Sequence, residues 1–130
     1  MGLIYLDACL AIYFVEEHPL WHDPVQSMLA GQTNIAVSPL VKTECLVRPI
    51  RKNDLVTERL FQDFFAKVVT LDMPEPVFLA AASIRARFNL KLPDALHVAC
   101  AQHHGCAALW TNDARLSAAG GGQVRVLTPH

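Results

Sequence analysis

The sequence predicts an open α/β domain with a central, mainly parallel sheet of about five strands. Three observations carry this prediction. Short apolar runs of strand length recur along the chain, separated by longer segments of helical periodicity, and strands alternating with helices imply a parallel sheet covered on both faces. The first run, Leu3-Ile4-Tyr5-Leu6, stops abruptly at Asp7 and passes straight into Ala8-Cys9-Leu10-Ala11-Ile12-Tyr13-Phe14, the strand-to-helix opening of such a sheet. The chain has 130 residues, 52% of them hydrophobic and 18% charged, which suffices to bury a sheet between two helical layers. Ligands of open α/β sheets sit beyond the carboxyl ends of the strands, so Asp7 is expected at the mouth of that crevice.

The remaining elements follow in order. After Glu16-Glu17-His18-Pro19 breaks the first helix, Trp21 to Leu29 reads as a second, with Gly31 as its C-terminal cap. His18 and His22 have a His-x-x-x-His spacing, but Pro19 between them argues against one helix presenting both, and they read as surface histidines. Asn34 to Val37 is the second strand. Ser38-Pro39 then supplies a capping hydroxyl and a first-turn proline, so a helix starts there. Asn53 to Lys67 is amphipathic, with Leu60, Phe61, Phe64 and Phe65 on one side. Val68 to Leu71 forms the third strand, and Met73-Pro74-Glu75-Pro76 opens a helix through Val77, Leu79, Ala80, Ile84 and Phe88. Leu92 to Ala101 is apolar on nearly every side and should be a central helix, ended by Gly105. Ala107 to Trp110 is the fourth strand, closing with Thr111-Asn112-Asp113. A short helix from Ala114 to Ala119, three glycines and a strand from Val124 to Leu127 complete one domain spanning 1–130.

Composition narrows the function classes. No apolar run reaches the roughly 18 residues a membrane-spanning helix requires. The N-terminus lacks a cationic region and carries Asp7 where an export signal would be apolar, so a cytoplasmic protein is expected. Cys9, Cys45, Cys100 and Cys106 show no Cys-x-x-Cys pairing and sit in apolar segments, as reduced core thiols do rather than zinc ligands. The apolar excess implies either a large core or a surface covered by a partner. A formal charge of −1 is not that of a strongly basic nucleic-acid binder, unless the acids are themselves neutralised.

Of the twelve acidic residues, four are embedded in apolar sequence: Asp7, Glu44, Asp94 and Asp113. Asp7 and Asp113 have a structural explanation as N-caps of the helices that follow, and Asp94 as a first-turn acid favoured by the helix dipole. Glu44 has none. It lies four residues after Leu40 and three after Val41, on the stripe where a core residue belongs. If the first and fourth strands are neighbours, Asp7 and Asp113 meet at the topological switch point, and a helix starting from that edge brings Asp94 there. Carboxylates so close repel and raise one another's pKa unless a cation intervenes. Hard oxygen ligands suit Mg²⁺ or Mn²⁺.

Leu6-Asp7, Glu44 within Val-x-x-Glu-Cys-Leu, Leu92-Pro93-Asp94-Ala95-Leu96-His97-Val98-Ala99 and Leu109-Trp110-Thr111-Asn112-Asp113 together strongly resemble the PIN-domain family. Within that family the chain looks most like the VapC toxins of toxin–antitoxin pairs, over nearly its whole length. The resemblance implies a three-layer α/β/α domain and a metal-dependent endoribonuclease, the toxin of a type II toxin–antitoxin system. Asp7, Glu44, Asp94 and Asp113 would hold one or two Mg²⁺ or Mn²⁺ ions, and metal-activated water would hydrolyse RNA phosphodiester bonds. It also implies that the Thr111 hydroxyl positions the last acid or a bound water. A homodimer is implied, and a VapB-like antitoxin completing a tetramer or higher assembly. With the four acids neutralised the formal charge becomes +3, compatible with RNA. The densest basic stretch, Lys42, Arg48, Arg51 and Lys52, is a candidate guide for the RNA backbone, and Arg115 a candidate phosphate contact.

Two positions depart from the family pattern. Ala8 stands where many relatives carry Ser or Thr, and Arg115 where many carry a further acid, which puts the second metal position in question. His97, three residues after Asp94, reads as a hydrogen-bonded packing histidine, with a general base as the alternative. A receiver domain would need an acidic pair at the first strand and a lysine after the last, and a haloacid-dehalogenase-type phosphatase an Asp-x-Asp motif; the chain has neither. The stronger rival is a catalytically degenerate PIN module that binds RNA or a protein partner without cleavage.

Overall fold

The computed structural model describes residues 2–127. Its five strands are β1 (Ile4–Leu6), β2 (Ile35–Val37), β3 (Val69–Thr70), β4 (Ala108–Thr111) and β5 (Val124–Val126). They form one sheet in the order β3-β2-β1-β4-β5, and every pairing is parallel. β1 and β2 are buried throughout, as near-continuous apolar strands in a covered parallel sheet must be.

Seven helices connect them: α1 (Ala8–Val15), α2 (His22–Leu29), α3 (Pro39–Arg51), α4 (Leu55–Ala66), α5 (Glu75–Phe88), α6 (Leu92–His103) and α7 (Leu116–Gly120). The chain runs outward from β1 through β2 to β3, then crosses back to β4 and on to β5. Right-handed crossovers therefore place α1 to α4 on one face and α5 to α7 on the other. The contacts agree: α1 packs on α2, α3 and α4, and α5 packs on α6 and α7. The result is the three-layer α/β/α arrangement, with its switch of winding direction between β1 and β4.

Local chemistry sets several boundaries. The Ser38 hydroxyl accepts a hydrogen bond from the Val41 N–H at 3.2 Å, capping α3 above Pro39. Asp54 caps α4 through the Thr57 N–H, so that helix begins after the sequence boundary at Asn53, which adopts a left-handed φ of 54°. Gly31 and Gly105 follow α2 and α6 with φ of 76° and 63°, where a side chain would be strained. From Ala95 to Ala101 every residue of α6 is buried, as its all-round apolar sequence requires.

The sequence reading is corrected in three places. β3 shrinks to Val69–Thr70, an exposed two-residue edge strand. α7 starts at Leu116 rather than Ala114, because Asp113, Ala114 and Arg115 are used in a turn. Leu60 and Leu79, read as inward-facing, are 48% and 63% exposed. The amphipathic pattern locates an apolar stripe, and here the stripes of α4 and α5 are wider than the surface they cover. Exposed Val47 and Ile50 on α3 and Leu55 and Val56 on α4 add to this uncovered area. Cys45, Cys100 and Cys106 are buried, Cys9 is half-buried, and all four are free thiols. Among the described residues no helix is long and apolar enough to cross a membrane.

Candidate active site

β1 ends where Asp7 begins. Parallel pairing sets Leu6 opposite Trp110, and the Asp7 N–H donates to the Trp110 carbonyl at 2.9 Å, so Thr111 comes alongside Asp7. The Thr111 hydroxyl donates to Asp7 Oδ2 at 2.7 Å and accepts from the Asp113 N–H at 3.1 Å. Thr111 thus orients the first acid and shapes the turn that carries the last. The Asp7 side chain makes no capping hydrogen bond to α1, which disposes of its explanation as an N-cap.

Glu44 comes from the second turn of α3 and His97 from α6, on the opposite layer. They meet over the carboxyl end of β1. His97 Nε2 lies 2.6 Å from Glu44 Oε1 and 3.6 Å from Asp7 Oδ1. On the other side of the ring, Nδ1 is 2.7 Å from the Tyr5 hydroxyl, which is 2.7 Å from Ser38 Oγ. Tyr5, Ser38 and His97 are all buried, His97 to 1% exposure. One set of donors satisfies the whole chain. The Val41 N–H donates to Ser38, Ser38 to Tyr5, Tyr5 to His97 Nδ1, and the Nε2–H of His97 to the Glu44 carboxylate. Burial pulls the His97 imidazole down, but the hydrogen bond it donates to Glu44 and the charges of Asp7, Glu44 and Asp94 outweigh it and hold its pKa above the ordinary value. Burial pushes the Tyr5 phenol far up, so it acts only as a neutral link.

Asp94 lies in the first turn of α6, half-buried. Its pKa is raised, first by burial and then by the negative charges of Asp7 and Asp113. Asp113 is shifted the other way, because Arg115 bonds it directly. Arg115 Nε lies 3.0 and 3.1 Å from the two Asp113 oxygens, a terminal guanidinium nitrogen 2.6 Å from Oδ2, and the Arg115 backbone N–H 2.9 Å from Oδ1. The same terminal nitrogen is 3.7 Å from Asp94 Oδ2.

The structure therefore gathers all four acids at one end of the sheet, in two groups. Asp7, Glu44 and His97 each offer a ligand atom within 4.8 Å of the others, the one such group among the described residues. Asp94 and Asp113 are joined instead through Arg115. The donors fit a divalent cation: two carboxylates with free lone pairs are hard oxygen ligands that suit Mg²⁺ or Mn²⁺, while both His97 nitrogens are taken by Tyr5 and Glu44.

The basic stretch of α3 is not part of this arrangement. Lys42 lies over the Phe65 ring at 5.6 Å, and Arg48, Arg51 and Lys52 are exposed on later turns. α3 runs away from the acidic edge, so Arg51, seven residues past Glu44, is about 10 Å further along the axis. Lys91, immediately before α6, is the nearer ammonium and helps lower the Asp113 pKa. It lies between the predicted helices that end at Phe88 and start at Leu92, and the sequence assigned it no role. The sequence reading also took Tyr5 and Ser38 as a strand residue and a cap, although a phenol two places before the acid in an aliphatic strand was a signal of an inward polar contact.

The sequence model of the PIN domain matches residues 4–122. No curated protein matches the chain by sequence. Among solved structures, the chain is similar to a protein in a toxin–antitoxin complex from Klebsiella pneumoniae, with a TM-score of 0.79, 20% identity, and 95% and 96% of the two chains covered. It is similar to VapC20 of Mycobacterium tuberculosis, described as a sarcin–ricin loop cleaving toxin, with a TM-score of 0.79, 17% identity and coverage of 94% and 98%. A third is from VapBC2 of Rickettsia felis bound to a promoter DNA fragment, with a TM-score of 0.78, 16% identity and coverage of 95% and 98%. At these identities the likeness is one of fold.

Proposed function

Because the chain belongs to the PIN-domain family, we propose that it is a Mg²⁺- or Mn²⁺-dependent endoribonuclease acting as a VapC-type toxin. The observation that carries this reading is the meeting of Asp7, Glu44 and His97 over the end of β1, with Asp94 and Asp113 beside them. The fold similarity to toxins of toxin–antitoxin pairs supports it.

Asp7 and Glu44 are the principal ligands, with Asp94 and Asp113 completing the negative field. When bound, a divalent ion supplies Lewis-acid polarisation of the scissile phosphate and lowers the pKa of water. The chain's own residues do the rest. Thr111 fixes the rotamer of Asp7 by donating to Oδ2, leaving Oδ1 turned toward Glu44 and His97. His97 holds Glu44 by its Nε2–H, and its own orientation is set by Tyr5 and Ser38. Such preorganisation means that no ligand has to be reoriented as charge develops on the phosphate. Lys91, exposed at the rim, is placed to attract the backbone of the RNA substrate.

Partners follow from the surface. Exposed apolar residues on α3, α4 and α5, and a groove of about 600 Å³ lined by Phe14, His22, Leu29, Leu60 and Phe64, support a homodimer and a VapB-like antitoxin in a tetramer or larger assembly. A cytoplasmic setting accords with this role. The test is cleavage of cellular RNA by the purified protein with Mg²⁺ or Mn²⁺, and growth arrest on expression. EDTA and Asp7→Asn should each abolish cleavage. Undiminished cleavage by Asp7→Asn would refute the site, and RNA binding without cleavage in the wild type would favour the degenerate module.

A further inference from the structure

We propose that Arg115 is the built-in second cation of the acidic pocket, restricting it to one divalent ion on the Asp7 and Glu44 side. This rests on the reading of the pocket as a metal centre and goes beyond it by fixing how many ions it takes and which acids hold them.

The argument starts from lone pairs. A carboxylate accepts about four hydrogen bonds, two on each oxygen. Three N–H groups of Arg115 converge on Asp113: the backbone N–H on Oδ1 at 2.9 Å, a terminal N–H on Oδ2 at 2.6 Å, and the single Nε–H shared between the two oxygens at 3.0 and 3.1 Å. Both oxygens are engaged by the arginine. On the inner side, Glu44 uses Oε1 alone, toward His97, and Asp7 Oδ1 has His97 only at 3.6 Å, too long for a hydrogen bond. Among the described residues Asp94 accepts no hydrogen bond but faces the Arg115 guanidinium at 3.7 Å, so the free ligand capacity away from that cation lies with Asp7 and Glu44.

Charge balance points the same way. Four carboxylates against one divalent ion and one guanidinium leave a single negative charge. A second divalent ion would make the pocket net positive and would sit against a guanidinium that cannot lose its proton. Nor can Arg115 withdraw far, since it is two residues from Asp113 in a turn pinned by Thr111. Its contact with Asp94 at 3.7 Å places it between the two outer acids, where a bridging ion would lie. The arginine is 62% exposed, so the pair adds little to stability. Its effect is on occupancy.

Calorimetric titration with Mn²⁺ tests this on the full chain, with bound Mn²⁺ counted independently by paramagnetic resonance. Wild type should bind one ion per chain. Arg115→Ala should bind two, and Arg115→Ala with Asp113→Asn should return to one. Unchanged circular dichroism is expected for the exposed substitution and serves as the folding control. Two ions in wild type, or one in Arg115→Ala, would overturn the role of Arg115 while leaving the metal centre standing. No binding by either protein would overturn the metal centre itself, and this inference with it.

Discussion

The inner and outer halves of the acidic pocket solve the same problem by different means. Asp7 and Glu44 are answered by His97, Tyr5, Ser38 and Thr111, drawn from three strands or strand ends and one helix and buried beneath the sheet edge. Asp94 and Asp113 are answered by one exposed arginine from two residues away. Where water is excluded, an unpaired group is costly, so Tyr5, Ser38, His97 and Thr111 each have named partners and hold one geometry. Where water remains, one arginine tethered in the same turn suffices. The inner half is thus held by a buried network, the outer half by a single local ion pair.

The largest contrast should appear in activity. Asp7→Asn keeps the Thr111 contact but removes a ligand charge, and RNA cleavage should fall by about a thousandfold, a loss of the size seen when one preorganised charge contact is removed. Arg115→Ala should change it far less; gel assays of both under matched Mn²⁺ would break the comparison if the order reversed.

Stability should divide the halves next. His97→Ala leaves the buried Tyr5 hydroxyl with no acceptor for its proton, although Ser38 still bonds it, and leaves the part-exposed Glu44 carboxylate without its donor, at a cost of about 3 kcal/mol. Tyr5→Phe should cost about 1 kcal/mol. Urea titration measures both, and the corresponding loss for Arg115→Ala should lie within its error.

The pH dependence of the metal-free protein sharpens the outer half. Because the Asp94 pKa is raised on folding, its ionisation opposes folding, and stability is lost as pH rises from the unfolded carboxylate value through the raised one. Asp94→Asn should therefore melt up to about 3 °C higher than wild type at neutral pH, with the gain vanishing as pH falls through the carboxylate range. Saturating Mn²⁺ should reverse its sign. Asp113, whose pKa is lowered by Arg115, should behave oppositely, its contribution being lost as pH falls.

The smallest effect is electrostatic steering. Lys91→Ala should reduce the salt slope of RNA binding by about 0.7, one phosphate's share for a single strand, and Arg51→Ala should not. Equal effects would bring the α3 stretch back into the interface.

These contrasts also explain what the sequence could tell. Asp7 and Asp113 were legible because each ends an apolar strand, and Glu44 because it breaks a helical stripe. The partner of Thr111 was not, since it depends on the register of β1 against β4, which no local pattern records. The Tyr5 to His97 contact joins residues 92 apart and becomes visible only once α6 is laid on the sheet. The place of the basic stretch relative to the acids was not legible, because charge density along a helix does not reveal which end faces the site. Leu60 and Leu79 misled because amphipathicity does not distinguish a core from a surface awaiting a partner.

Anomalous scattering from a crystal grown with Mn²⁺ tests the central claim most directly. A single peak bounded by Asp7 and Glu44, with Arg115 still on Asp113, is the expected result. A map without a peak at that edge of the sheet, at a Mn²⁺ concentration that supports RNA cleavage, would contradict it.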